Sequence, residues 1–173
     1  NVGDDHIQQA HRLLYYLRGT SDLGIIYSPT GDINAYRLLT YGDSDWASDP
    51  TTRKSRTGFL HMMSNAAIEY YSKGQSLVSD SSCMAETVAS CEAIRSILHF
   101  RIVLIELGYK QIGSSVLYGD NQATVLNSNS KSQSPRSKHF QIRTELLRAI
   151  TRSGRAHIVL SLIHISEPTR RIL

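Results

Sequence analysis

The sequence predicts an α/β domain built on a mixed sheet, with three antiparallel strands first, parallel strands after them, and helices flanking the sheet. Three observations predict it. Three strand-like stretches joined by short links lie between Ala35 and Lys73. One long segment of helical periodicity follows, from Ser81 to Leu107. Strand and helix candidates then alternate to Leu160. Short links favour antiparallel neighbours, and strand–helix–strand crossovers favour parallel pairing under a helical layer.

The first element is a helix. From Asp5 to Leu17, Ile7, Ala10, Leu13, Leu14 and Leu17 recur at helical spacing, and Gly19 stops the run. Leu23 to Ser28 (LGIIYS) reads as a short strand, closed by a turn at Pro29, Thr30, Gly31 and Asp32. Ala35 to Asp43 (AYRLLTYGD) opens the meander, and a Ser/Asp-rich loop runs from Ser44 to Thr52. Thr57 to Ser64 and Ala67 to Lys73 are the next two strands, with Asn65 and Ala66 as their hairpin turn.

In the long helix Met84, Val88, Cys91, Ile94, Leu98, Ile102 and Ile105 mark the apolar stripe. Ser79, Asp80, Ser81 and Ser82 offer N-caps, and Gly108 is placed to end it. Ser115 to Gly119 is a strand, and Asn121 to Leu126 starts a short helix. Asn127 to Pro135 is a polar loop. Phe140 to Ile150 is an amphipathic helix, and Ala156 to Leu160 is the last strand.

A chain of 173 residues is enough for one domain with a core. No apolar run reaches the ~20 residues that cross a bilayer, and no charged start leads into an apolar stretch as in a signal peptide. No membrane partner is expected, and the expected location is intracellular. Cys83 and Cys91 sit in one predicted helix without a CxxC partner, which argues against a disulfide framework or a zinc site and for small buried apolar residues. The net charge is +4, and the basic residues concentrate in Lys131, Arg136, Lys138, Arg143, Arg148, Arg152 and Arg155, with Glu145 as the single acid among them. Such a cluster draws in phosphates or is simply a solvated face.

Three acids fall where sites are built on α/β sheets. Asp43 ends a strand, Glu86 lies near the start of the long helix, and Asp120 ends the next strand. Carboxylates that converge repel one another and call for a hard cation, magnesium best. Position alone leaves the plain alternatives open: a strand end for Asp43, a first-turn acid for Glu86, and an N-cap for Asp120.

Four local words weigh the balance. YGDSDWASDPTTRKSRTGFL carries Asp43, Asp45, Trp46, Ala47, Asp49, Arg53, Lys54, Ser55, Gly58 and Phe59; DSSCMAETVAS carries Ala85 and Glu86; LYGDNQAT carries Asp120, Asn121 and Gln122; RSKHFQIR carries Arg136, Lys138, His139 and Arg143. In this order the four resemble the blocks of the RNase H domain of Ty1/copia-type retrotransposon Pol polyproteins, over Ala35 to Arg155. The head, HRLLYYLRGTSDLGIIYS, resembles the stretch joining reverse transcriptase to that domain.

The resemblance implies an RNase H-like fold and an endonuclease that cuts the RNA strand of an RNA–DNA hybrid. Asp43, Glu86 and Asp120 would be catalytic metal ligands. Mg2+, or Mn2+ in its place, would occupy a two-metal site in the intact domain. Arg53, Lys54, Gln122, Arg136, Lys138, His139 and Arg143 would contact the hybrid, reading shape, phosphates and 2′-hydroxyls; a helix-start role for His139 stands beside that one. Asp45 and Asp49 match no ligand position and read as loop acids. The upstream reverse transcriptase of the same polyprotein is the implied partner, and a cytoplasmic virus-like particle or the nucleus the implied location.

Two departures stand out. The family's fourth carboxylate lies beyond the last strand in a word like Ala-Asp-Ile-Phe-Thr-Lys, and no such word follows Val159. Gln141, where relatives often carry Asp, lies on the preceding helix and is not counted as that ligand. LSLIHISEPTR, Leu160 to Arg170, instead resembles the translation of a sequencing-library adaptor. The expected organisation is therefore residues 1–33 as the end of a reverse transcriptase or connection segment, 34–159 as the RNase H-like domain, and 160–173 as a non-native tail. Nothing functional is read into His164, Glu167 or Arg170. With three of four ligands, weak or absent cleavage is expected. The competing reading is a non-catalytic hybrid-binding or spacer domain of a decayed element. An integrase core ranks lower, because its Glu comes last of the three acids and here it comes second.

Overall fold

The computed structural model describes residues 3–27, 36–129 and 138–161. The elements are α1 (Asp4–Gly19), β1 (Leu39–Asp45), β2 (Arg56–Met63), β3 (Ala66–Gly74), α2 (Ser82–Glu106), β4 (Ser115–Gly119), α3 (Gln122–Asn129), α4 (Lys138–Arg152) and β5 (Ala156–Leu160). One five-stranded sheet has the order β3-β2-β1-β4-β5. β1 pairs antiparallel with β2, and β2 with β3, while β4 pairs parallel with both β1 and β5. The mixed sheet expected from the sequence is the one observed.

The alternation of the strands sets the core. Leu38, Phe59, Leu117, Ala156 and Ile158 turn inward and meet Cys91, Ala93, Ile94 and Ile97 of α2 and Leu147 and Ile150 of α4. Ser81 caps α2, its hydroxyl accepting from the Met84 N–H at 3.2 Å. Near its start α2 is buried all round, from Ala85 to Cys91. The predicted stripe holds through Leu98 and then drifts off, because Ile102 and Ile105 are more than half exposed and Leu104 is the buried residue of that turn. Gly108, at φ +86°, follows the helix in the left-handed conformation that glycine adopts without strain. Cys91 is fully buried and Cys83 half-buried, and neither is in a disulfide. No described helix is long and apolar enough to cross a membrane.

The first half of the chain departs from expectation in three places. Leu23–Tyr27 forms no strand and pairs with none among the described residues; its Tyr27 hydroxyl donates to the Ala67 carbonyl at 2.5 Å. Residue 28 and the turn expected at Pro29 to Asp32 lie outside the described residues. The first meander strand, expected from Ala35 to Asp43, starts at Leu39 and runs on to Asp45, where β2 supplies partners from Met62 to Arg56. Before it, the Leu38 N–H goes to the Gln111 side chain at 2.9 Å. The hairpin turn sits one residue earlier than expected: Ser64 and Asn65 both have positive φ, and Ala66 is buried as the first residue of β3. Two consecutive positive-φ residues suit the twist of a tight hairpin.

A polar thread crosses the inner face. His61 is fully buried on β2, its Nδ1 2.7 Å from Thr40 Oγ1 on β1. Its Nε2 lies 3.3 Å from Glu69 Oε2 on β3, without the alignment of a hydrogen bond. Ser96 of α2 donates to the same Glu69 oxygen at 2.6 Å. Burial pushes the His61 pKa down to about 4, against the opposing pull of Glu69. The folded value lies below the usual 6.5, so the fold loses stability as pH falls from 6.5 toward 4, by about 3 kcal/mol in full. Urea melts of wild type and His61→Gln between pH 7 and 4.5 measure this: wild type declines relative to the variant. Parallel profiles would contradict the assignment.

Candidate functional site

Parallel pairing of β1 and β4 places Tyr41 opposite Tyr118, and their rings stack with centroids 5.1 Å apart. Asp43 in β1 and Asp120 just past the end of β4 each follow two residues later, so both emerge at the same end of these two strands. Gly42 leaves room for the Leu117 side chain beside them. A Cβ there would lie 3.1 Å from the Leu117 side chain and 3.9 Å from Ala93 of α2. The close approach of α2 brings Glu86, in its second turn, over the end of β1.

The structure thus gathers Asp43, Glu86 and Asp120: one carboxylate oxygen from each lies within 4.8 Å of the other two. Asp43 and Asp120 are exposed, and Glu86 is 6% exposed. Burial pushes the Glu86 pKa up to about 7, with the charges of Asp120 and Asp43 adding to the rise; the Ser44 hydroxyl opposes it. Ser44 donates its N–H to Asp43 Oδ1 at 2.8 Å and to Glu86 Oε1 at 2.9 Å, and its hydroxyl to Glu86 Oε1 at 2.5 Å. Among the described residues no lysine, arginine or histidine forms an ion pair with any of the three acids. A buried carboxyl beside two others, with no cationic side chain to balance them, is a donor set of hard oxygens that fits a divalent ion such as Mg2+ or Mn2+.

The expected nucleic-acid contacts are dispersed. Arg53 is exposed at φ +54° in the loop after β1. That loop is pinned by Trp46 Nε1 donating to the Ser79 carbonyl at 3.0 Å and by Asp49 accepting from the Thr51 and Thr52 N–H groups at 2.9 and 2.8 Å. The bonds to Thr52 and Thr51 hold the Asp49 carboxyl below its usual range, which makes it the loop acid the sequence suggests. Lys54 lines a cleft with Asp45, Arg56 and Lys73. Arg143, half-buried on α4, lines an adjoining cleft that shares Lys73 to Ser76. Gln122 is exposed at the start of α3, two residues beyond Asp120. Arg136 lies outside the described residues, as do the side chains of Lys138 and His139.

Sequence reasoning missed Arg56 and Lys73, which join Lys54 and Arg143 along these clefts, and it missed Ser44. Arg56 was legible as the neighbour of the Arg-Lys-Ser word; Lys73 and Ser44 carried no signal without the fold. Arg148 does not belong to a solvated basic face. It is 6% exposed, and it donates to the Asn127 carbonyl at 2.8 Å and to Glu145 at 2.6 Å. Its guanidinium ties α4 to the end of α3.

No protein-family model matches the chain. Among curated proteins it is 33% identical over 148 residues to the Pol polyprotein of transposon TNT 1-94 from Nicotiana tabacum, covering 86% of this chain and 11% of that protein. It is 32% identical over 164 residues to that of transposon RE1 from Arabidopsis thaliana, covering 94% and 11%. The chain's homologues are the Pol polyproteins of copia-type plant transposons. It spans about a tenth of their length.

Among solved structures it superposes on RNase H1 of Halobacterium salinarum with a TM-score of 0.51 at 13% identity, covering 72% of this chain and 83% of that one. It superposes on the foamy viral protease-reverse transcriptase in complex with an RNA/DNA hybrid with a TM-score of 0.55 at 13% identity, covering 83% and 20%. At such identities the likeness is one of fold: the chain's mixed sheet and flanking helices match the RNase H fold.

The raised Glu86 pKa has a direct consequence for stability. Without metal the folded value of about 7 exceeds the usual 4.5, so the fold loses stability as pH rises from 4.5 through 7. Glu86→Gln removes that penalty. In EDTA at pH 8 its Tm exceeds that of wild type, by the equivalent of at most about 3 kcal/mol. A variant less stable than wild type under those conditions would contradict the electrostatic account.

Proposed function

We propose that this chain is the RNase H domain of a retrotransposon polyprotein, carrying the machinery for metal-dependent cleavage of the RNA strand of RNA–DNA hybrids. The observation that carries the proposal is the convergence of Asp43, Glu86 and Asp120 within 4.8 Å at one end of the paired strands β1 and β4 of an RNase H fold. Asp43, Glu86 and Asp120 are the ligands of this reading. Bound divalent ions would supply an activated water and neutralise charge at the scissile phosphate.

The remaining chemistry belongs to the surface. Arg53 and Gln122 are exposed, and Lys54 and Arg143 line adjoining clefts, which supports reading all four as contacts to a hybrid backbone. Arg136, Lys138 and His139 complete the proposed contact set. Contacts of this kind read backbone shape and 2′-hydroxyls and weaken steeply with salt. In this reading residues 34–159 form the nuclease domain, residues 1–33 belong to the segment that joins it to the polyprotein's reverse transcriptase, and 160–173 are not native. The foamy viral reverse transcriptase structure, which holds an RNA/DNA hybrid, supports the choice of ligand by analogy of fold.

Three ligands in place of four favour weak turnover. A labelled RNA–DNA hybrid incubated with this chain in Mg2+ is expected to bind in a salt-sensitive manner and to be cut slowly or not at all. A chain extended with the relatives' sequence after Val159 is expected to cut it, and Asp43→Asn in the extended chain to abolish cutting while binding persists. Rapid cleavage by the present chain would overturn the need for a fourth carboxylate. Binding without cleavage by the extended chain would favour a non-catalytic hybrid-binding domain. Failure to bind hybrid at low salt would overturn the proposal.

A further inference from the structure

Ser44 carries an arrangement that the ligand set alone does not explain. Its N–H is shared between two of the three clustered carboxylates, Asp43 Oδ1 at 2.8 Å and Glu86 Oε1 at 2.9 Å. Its hydroxyl makes a second bond to the same Glu86 oxygen, at 2.5 Å. One residue therefore supplies three donor contacts to two acids that repel each other. A carboxylate oxygen has room for about two such donors, so Glu86 Oε1 is fully engaged and Oε2 is the freer ligand oxygen. The two elements being joined are far apart in sequence, β1 and the second turn of α2, and Ser44 bonds directly between them.

The Glu86 side chain has several rotatable bonds, and its neighbours repel it. Holding it at the cluster without a cation needs donors that do not themselves compete as ligands. A hydroxyl and a peptide N–H meet that need, whereas a lysine or arginine would take the cation's place. We infer that Ser44 is a positioning residue: its hydroxyl fixes the Glu86 carboxylate beside Asp43 so that the cluster is preformed for a divalent ion. The inference rests on the metal-site reading above and assigns one more residue to it.

The test separates the two. Calorimetric titration of the whole chain with MnCl2 is made for wild type, Ser44→Ala and Ser44→Thr, with circular dichroism to check each fold. Ser44 is half-buried at the strand end, and alanine leaves its peptide N–H in place, so the substitution isolates the hydroxyl. Loss of a hydrogen bond that orients a ligand weakens metal binding by about 10- to 100-fold, and S44A is expected in that range. S44T keeps the hydroxyl and is expected to restore wild-type affinity. A purely steric role for Ser44 would make threonine, the larger residue, the worse of the two. Wild-type binding of Mn2+ with equal binding by S44A would overturn the positioning role and leave the metal site standing. A wild type that does not bind Mn2+ would remove the metal site itself, and the inference with it.

Discussion

Three carboxylate groups with oxygens within 4.8 Å of one another repel, and the local architecture is arranged to hold them there. Solvent screens the exposed Asp43 and Asp120, and the repulsion weighs most on the buried Glu86. The opposing force is packing. The parallel β1–β4 pair sets Tyr41 opposite Tyr118, so Asp43 and Asp120 emerge together two residues later, and the ring stack reinforces that register. Small residues of α2, Ala85, Ala89 and Ala93, are all buried, so the helix lies low over the sheet. Burial, with the charges of Asp120 and Asp43 adding to it, raises the pKa of Glu86, the one buried member.

That arrangement explains what could be read in advance. The apolar alternation of β2, β3, β4 and β5 is set by which face each strand buries, and those elements agree with expectation to within a residue or two. The helical periodicity from Met84 to Leu98 is equally local. The misreadings arise where a long-range partner decides. Leu23–Tyr27 has strand composition but pairs with no strand among the described residues, where its Tyr27 hydroxyl donates to the Ala67 carbonyl of β3. The hairpin turn moved by one residue because β3 buries Ala66. The late part of α2 has its apolar stripe in sequence, yet Ile102 and Ile105 extend past what the sheet and α4 cover.

The site divides in the same way. Asp43, Glu86 and Asp120 were legible through the words around them, and their convergence is a property of the fold. Ser44 was not legible, since a serine next to an aspartate is ordinary and its meaning comes from an α2 residue 42 positions away. Charge counting was the least reliable guide. Arg148 contributed to the basic run but is buried against Glu145 and Asn127, while Arg56 and Lys73, outside that run, line the clefts that connect Lys54 to Arg143.

The central claim is that the three carboxylates form a divalent-cation site. Crystals of the chain grown with MnCl2, measured for anomalous scattering at a wavelength where manganese contributes strongly, test it most directly. The account predicts an anomalous peak in contact with oxygens of Asp43, Glu86 and Asp120, absent from crystals of Asp43→Asn. A well-diffracting crystal with no peak between these residues, or with Mn2+ bound only elsewhere on the surface, would contradict it.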